Sequence, residues 1–205
     1  MTARPSIKGS VFAGVVEEVK KLLASGGASR ADAARFLVPP DFALLEEPMV
    51  ITRWYEIDAY TRMNELLREF EGDGSNEYLR LRGRETARRL LESGLYSQLE
   101  YLHRTELANA IDGPARVSAF GRDLRLLATL SGSILNFSRW MVRPDPKQAA
   151  RYVIEVTEAQ DFPEVLAWRS DGFVNEMATQ HGQPDLWRWE RVASDHIVFR
   201  MVRDV

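Results

Sequence analysis

Apolar side chains along the first two-thirds of the chain recur at three- and four-residue spacing, the period of helices buried on one face. Ile7, Val11, Val15, Val19 and Leu22 form the first such stripe, after Pro5-Ser6 and before Ser25-Gly26-Gly27. Its other side carries Gly9, Ser10, Ala13 and Gly14, a thin patch that would let another backbone come close. A short helix is expected over 29–37, stopped by Pro39-Pro40. Residues 41–57 give no single assignment. Asp41 to Glu47 reads as one or two helical turns, and Met49 to Ile57 as a buried extended segment, with Pro48 between them. From Asp58 the helical stripe returns as Tyr60, Met63, Leu67 and Phe70, and is broken by Gly72-Asp73-Gly74-Ser75. An arginine-rich helix follows from Ser75 through Leu91. Ser97 and Glu100 make a capping box, with Tyr96 and Tyr101 as its hydrophobic staple, for a helix to about Ala110. Asp112-Gly113-Pro114 is expected to stop it. A further helix from about Phe120 to Leu135 carries Leu124, Leu127 and Ile134, with a soft spot at Ser131-Gly132-Ser133.

Beyond residue 136 the period falls to two. Phe137 to Val142 alternates, Pro144-Asp145-Pro146 turns the chain, and Tyr152, Ile154 and Val156 alternate with Val153, Glu155 and Thr157. Asp161 and Glu164, with Pro163 in the first turn, then open a helix lined by Phe162, Leu166, Phe173 and Met177. Gly182 and Pro184 close it. Gly172 interrupts this helix at a cost of about 1 kcal/mol relative to alanine, so it is expected to mark close approach to the sheet or a local break. Trp187 and Trp189 share one side of the next strand. Ala193-Ser194-Asp195 makes the turn, and Ile197, Phe199 and Met201 share a face of the last strand. The expected fold is α+β: a helical N-terminal two-thirds, then a small antiparallel sheet packed on a late helix. One domain covers 1–205, mainly helical over 1–136 and strand-strand-helix-strand-strand over 137–205.

Composition removes several classes of function. Hydrophobic content of 45% beside 28% charge is that of a folded globular chain. A net charge of −3 gives no general attraction to nucleic acid or to anionic membrane. No run of apolar residues is long enough to span a bilayer, and the N-terminus lacks the pattern of a cleaved signal. A cytoplasmic protein is expected. With no cysteine there is no disulfide, thiolate nucleophile or cysteine-ligated metal.

Candidate chemistry is sparse. His103, His181 and His196 lie far apart and show no i, i+4 metal-ligand spacing, so no metal site is expected. No paired carboxylate signature, nucleophile elbow or phosphate-binding glycine loop occurs, so the chain reads as a non-enzyme. Arg80, Arg84 and Arg88 share one helical face that could grip a partner's carboxylates, although Glu77, Glu85 and Glu92 can pair along the same helix. Phe137, Trp140, Trp168 and Phe173 are the candidates for an apolar pocket between the sheet and the helical half. Trp187 and Trp189, if exposed, would offer a protein interface.

The N-terminal stretch IKGSVFAGVVEEV, the succession of helices and the strands with a late helix ending in His181-Gly182 together resemble a broad superfamily. It unites bacterial 4-vinyl-reductase-like (V4R) domains, haem–nitric-oxide-binding domains and trafficking-particle (TRAPP) subunits. The resemblance implies a domain that binds a small hydrophobic molecule or haem, or serves as a dimerising scaffold. The haem branch implies a proximal histidine, for which His103 is the one residue in a comparable place. It also implies a Tyr-x-Ser-x-Arg motif, which this sequence lacks, so no cofactor is expected. Two functions follow. The first is a sensory domain, as a homodimer, holding a small hydrophobic molecule. The alternative is an interaction or scaffold protein.

Overall fold

The computed structural model describes residues 4–92, 113–180 and 182–205. The chain opens with a short strand, β1 (Ser6–Lys8), antiparallel to β2 (Trp54–Glu56), with Ile7 opposite Tyr55. Ile7 therefore sits in a strand, where the sequence period placed it on a helix. Backbone bonds decide the matter: Gly9 N–H donates to Arg53 O and Ser10 N–H to Ile51 O, both at 2.9 Å, so helical bonding begins only after Lys8. α1 (Gly9–Ala24) buries Phe12, Val15, Val16, Val19 and Leu22. The thin patch is used as expected of it. A Cβ at Gly9 would overlap the Val50 carbonyl oxygen, and Gly14 lies against the Arg89 guanidinium.

α2 (Arg30–Ala33) is a single turn held by a reciprocal capping box: Asp32 N–H donates to Ser29 Oγ and Ser29 N–H to Asp32 Oδ2, each at 3.0 Å. Pro39 does not merely stop what precedes it; it starts α3 (Pro39–Glu46), because a first-turn residue needs no amide hydrogen. The 49–57 segment is not a buried extended run. Val50 and Ile51 are exposed, and only Trp54–Glu56 is strand. α4 (Ile57–Gly72) buries Tyr60, Met63 and Leu67 and ends in a left-handed turn at Asp73 and Gly74. α5 (Asn76–Glu92) follows. The helix expected over 97–110 lies outside the described residues, as do His103 and His181. α6 (Gly113–Ile134) begins earlier than the apolar spacing suggests. Pro114 again stands in a first turn, and the helix it was expected to stop lies outside the described residues.

The second half is the expected sheet. β3 (Arg139–Asp145), β4 (Gln148–Thr157), β5 (Trp187–Ala193) and β6 (His196–Met201) pair antiparallel in the order β3-β4-β6-β5, and α7 (Glu164–Gln180) connects β4 to β5. Ile154 pairs with Phe199 and Val156 with Ile197. These four, with Tyr152, Trp187 and Met201, are buried. α6 packs along β3 and β4, and α7 touches β5. The fold is α+β, with the helices preceding the four-stranded sheet.

The mid-helix glycine of α7 does not face the sheet. A Cβ at Gly172 would overlap the Arg80 carbonyl oxygen of α5, and one at Gly83 of α5 would overlap the Arg169 carbonyl oxygen of α7. The two helices thus cross backbone against backbone, each through the other's glycine. This contact fixes where the arginines of α5 and the polar side chains of α7 meet.

Candidate functional site

A cavity of about 70 Å³ lies between the helical half and the first strand of the sheet. β1 and α1 contribute Ile7 and Val11, α6 contributes Leu130, Ser131 and Ile134, β3 contributes Trp140, and α7 contributes Arg169 and Phe173. Its wall is mostly apolar because α1, α6 and α7 turn their core faces towards one another here.

The four aromatic candidates divide. Trp140 and Phe173 line the cavity. Phe137 packs on Phe162, with ring centroids 6.1 Å apart. Trp168 stands edge-on to Trp189 at 5.3 Å and donates its indole hydrogen to Glu164 Oε1. Trp187 is fully buried, stacked on Phe120, and half-buried Trp189 packs against the core, so the pair is no exposed stripe.

Arg80 and Arg84 on α5 are largely covered, while Arg88 is exposed, and all three pair with carboxylates of α7 or the segment after it. Arg80 pairs with Asp171 and Asp185, and Arg84 with Asp185. Arg88 forks onto buried Glu176, with Nε to Oε1 and Nη2 to Oε2 both at 2.9 Å. Local pairs to Glu77 and Glu85 also form, from Arg80 and Arg82. The partners that matter most lie about ninety residues away on α7, and sequence spacing does not display them.

One charged cluster has no counterpart in the sequence reading. Arg169, 4% exposed, donates from Nη1 to Asn64 Oδ1 at 2.7 Å and from Nη2 to Glu18 Oε2 at 3.3 Å. Glu18, 6% exposed, also meets Arg82 at 2.5 Å and Arg89 at 3.1 Å. Burial alone would raise the Glu18 carboxyl, but Arg169, Arg82 and Arg89 outweigh it and hold it below the ordinary glutamate value. The fully buried Tyr60 phenol lies beside Arg169 and Asn64 and is pushed up by its burial. Nε of Arg169 and Nε of Arg82 are buried without a hydrogen-bond partner among the described residues. A signal for this cluster does exist in the sequence. Glu18 stands between Val15 and Leu22 on an apolar face, and Arg169 between Leu166 and Phe173. A lone charge on an otherwise apolar stripe demands a buried partner.

Among the described residues, no three histidine, aspartate or glutamate side chains converge as metal ligands, and no helix is long and apolar enough to cross a membrane.

This architecture, helices followed by an antiparallel sheet, belongs to the class of α+β folds seen in H-NOX domains. The chain is similar to a single-substitution variant of the T. tengcongensis H-NOX domain, with a TM-score of 0.52 at 13% identity, covering 97% of this chain and 100% of that one. It is also similar to a structure solved to probe haem distortion in the H-NOX family, with a TM-score of 0.51 at 13% identity and 97% of both chains covered. At that identity the likeness is one of fold. No protein-family model matches the chain, and no curated protein does.

Proposed function

We propose that this chain is a non-enzymatic sensory domain, one unit over 1–205, that binds a small apolar molecule in the cavity lined by Trp140 and Phe173. The observation that carries this reading is the cavity itself: an apolar-walled space between the helical half and the sheet, where packed interiors leave few voids larger than a water molecule. The H-NOX likeness supports it, since that family includes a structure solved to probe haem distortion, a small molecule held within the same kind of fold. A cytoplasmic homodimer remains part of the proposal.

Haem is not the ligand this site accepts. A space of about 70 Å³ is well under the roughly 300 Å³ of even a small drug-sized site, and haem is larger than that. The α5–α7 crossing cannot spread to admit a macrocycle without separating the backbones that meet at Gly83 and Gly172. The Tyr-x-Ser-x-Arg motif is also missing. Membership of the broad superfamily that unites V4R, haem–nitric-oxide-binding and trafficking-particle domains is part of the same reading. For the scaffold alternative, a partner reading Arg80, Arg84 and Arg88 would have to displace Asp171, Asp185 and Glu176.

Tryptophan fluorescence tests the proposal, because Trp140 lines the cavity and Trp168 does not. Titration with short apolar molecules shifts the emission of the wild type and of Trp168→Phe, and leaves Trp140→Phe unchanged. No shift in any of the three would overturn it.

A further inference from the structure

The cavity wall is mostly apolar, and its polar members are Tyr60, Thr86, Ser131, Arg169 and Ser170. Three guanidinium groups, from Arg82, Arg89 and Arg169, meet the single carboxylate of Glu18. Arg82 draws on one further carboxylate, Glu85. Among the described residues three positive charges then face two negative, and one of the positive groups, Arg89, is half exposed to solvent. For Arg169, Glu18 is the one carboxylate within ion-pair reach among the described residues. Its Nε is buried and lacks a partner among the described residues. Burying a charged donor without an acceptor is costly, and a guanidinium takes a carboxylate through two adjacent N–H groups. The Tyr60 phenol, beside Arg169 and also on the cavity wall, can donate to the same anion.

We infer that the ligand is a small monocarboxylate with a short apolar tail, its carboxylate held by Arg169 and Tyr60 and its tail against Ile7, Val11, Ile134 and Trp140. This rests on the proposed small-molecule reading and adds the class of ligand. The tail is short because a space of about 70 Å³ is well under the roughly 300 Å³ of a drug-sized site. The anion neutralises the excess charge of the cluster, and the tail takes the apolar space. A neutral ligand of equal size fills the space but leaves the Arg169 Nε unmade. An amine would bring a like charge to an already cationic end.

Isothermal titration calorimetry with hexanoate, 1-hexanol and hexylamine on the wild-type chain tests this. Hexanoate is expected to bind at least 10-fold more tightly than 1-hexanol, with hexylamine undetectable. Tyr60→Phe, which removes a hydroxyl and keeps the ring, should weaken hexanoate several-fold and leave 1-hexanol unchanged. Arg169→Gln should bring hexanoate down to the affinity of 1-hexanol; if that variant does not fold, the wild-type comparison and Tyr60→Phe decide. Equal affinity for hexanoate and 1-hexanol overturns the carboxylate assignment and leaves the cavity reading standing. Absence of binding by all three overturns both.

Discussion

Gly172 of α7 rests against the backbone of Arg80 on α5, so closely that no side chain fits between them. A glycine inside a helix costs about 1 kcal/mol in propensity, and here that cost is offset by a helix crossing that brings Asp171 onto Arg80 and Glu176 onto Arg88. Gly172→Ala is therefore expected to destabilise, despite its better helix propensity, by about 2–3 kcal/mol, in the range of overpacked cores. Urea unfolding measures it. An alanine variant as stable as the wild type would mean that the helices do not cross this tightly.

Arg88 tests whether the arginine face is structural. Its fork closes on Glu176, a carboxylate buried within α7. Arg88→Met strips that carboxylate of both bonds and is expected to cost about 1.5–3 kcal/mol, the range for hydrogen bonds to charged groups. The same substitution on a freely solvated helix face would shift the unfolding midpoint by less than about 0.5 kcal/mol, and a result that small would return Arg88 to the role of partner-binding residue.

Glu18 sets a pH dependence. Its carboxyl is held below the ordinary value in the folded chain, so its stabilisation is present at neutral pH and is lost as the pH falls through that lowered value. Asp171 acts in the opposite sense. Burial raises its carboxyl against the pull of Arg80, so its contribution is complete in acid and is lost as the pH rises. Glu18→Gln is thus expected to cost about 3 kcal/mol at pH 7, with the gap to the wild type closing as the pH falls through the lowered Glu18 value and the wild-type carboxyl is itself protonated. Thermal melts across that range decide it, since a gap independent of pH would show that the loss is one of packing rather than of charge.

The tryptophans should rank by burial. Trp187, fully buried and stacked on Phe120, is expected to cost about 3–5 kcal/mol on truncation to alanine. Trp168, part-exposed beside Trp189, should cost clearly less. Denaturant unfolding of the two single variants gives the order, and a reversed order would mean that the β5 face is not the packed one.

Legibility in the sequence followed the range of the interaction. The alternation at Tyr152, Ile154 and Val156 and the stripe at Tyr60, Met63 and Leu67 are local patterns, and both appear where they were expected. Ile7 was misplaced because one turn of helical spacing cannot be told from a three-residue strand; what decides it is pairing with Tyr55, forty-eight residues away. Proline was only half read at Pro39, where the expected stop holds and the same residue also opens the next helix, because a missing amide that suits an ending suits a first turn as well. The apolar end of the cavity was half legible, through Trp140 and Phe173. The charged end was not, since Glu18, Asn64 and Arg169 come from three helices and meet only when the fold has formed.

Native mass spectrometry on freshly purified protein, repeated under denaturing conditions, tests the central claim most directly. The account predicts that protein mixed with hexanoate carries a mass excess of one hexanoate per chain, which disappears on denaturation and is carried by a smaller fraction of the protein when 1-hexanol is supplied at the same concentration. A bare chain mass with hexanoate present, from protein that is otherwise folded, would contradict it.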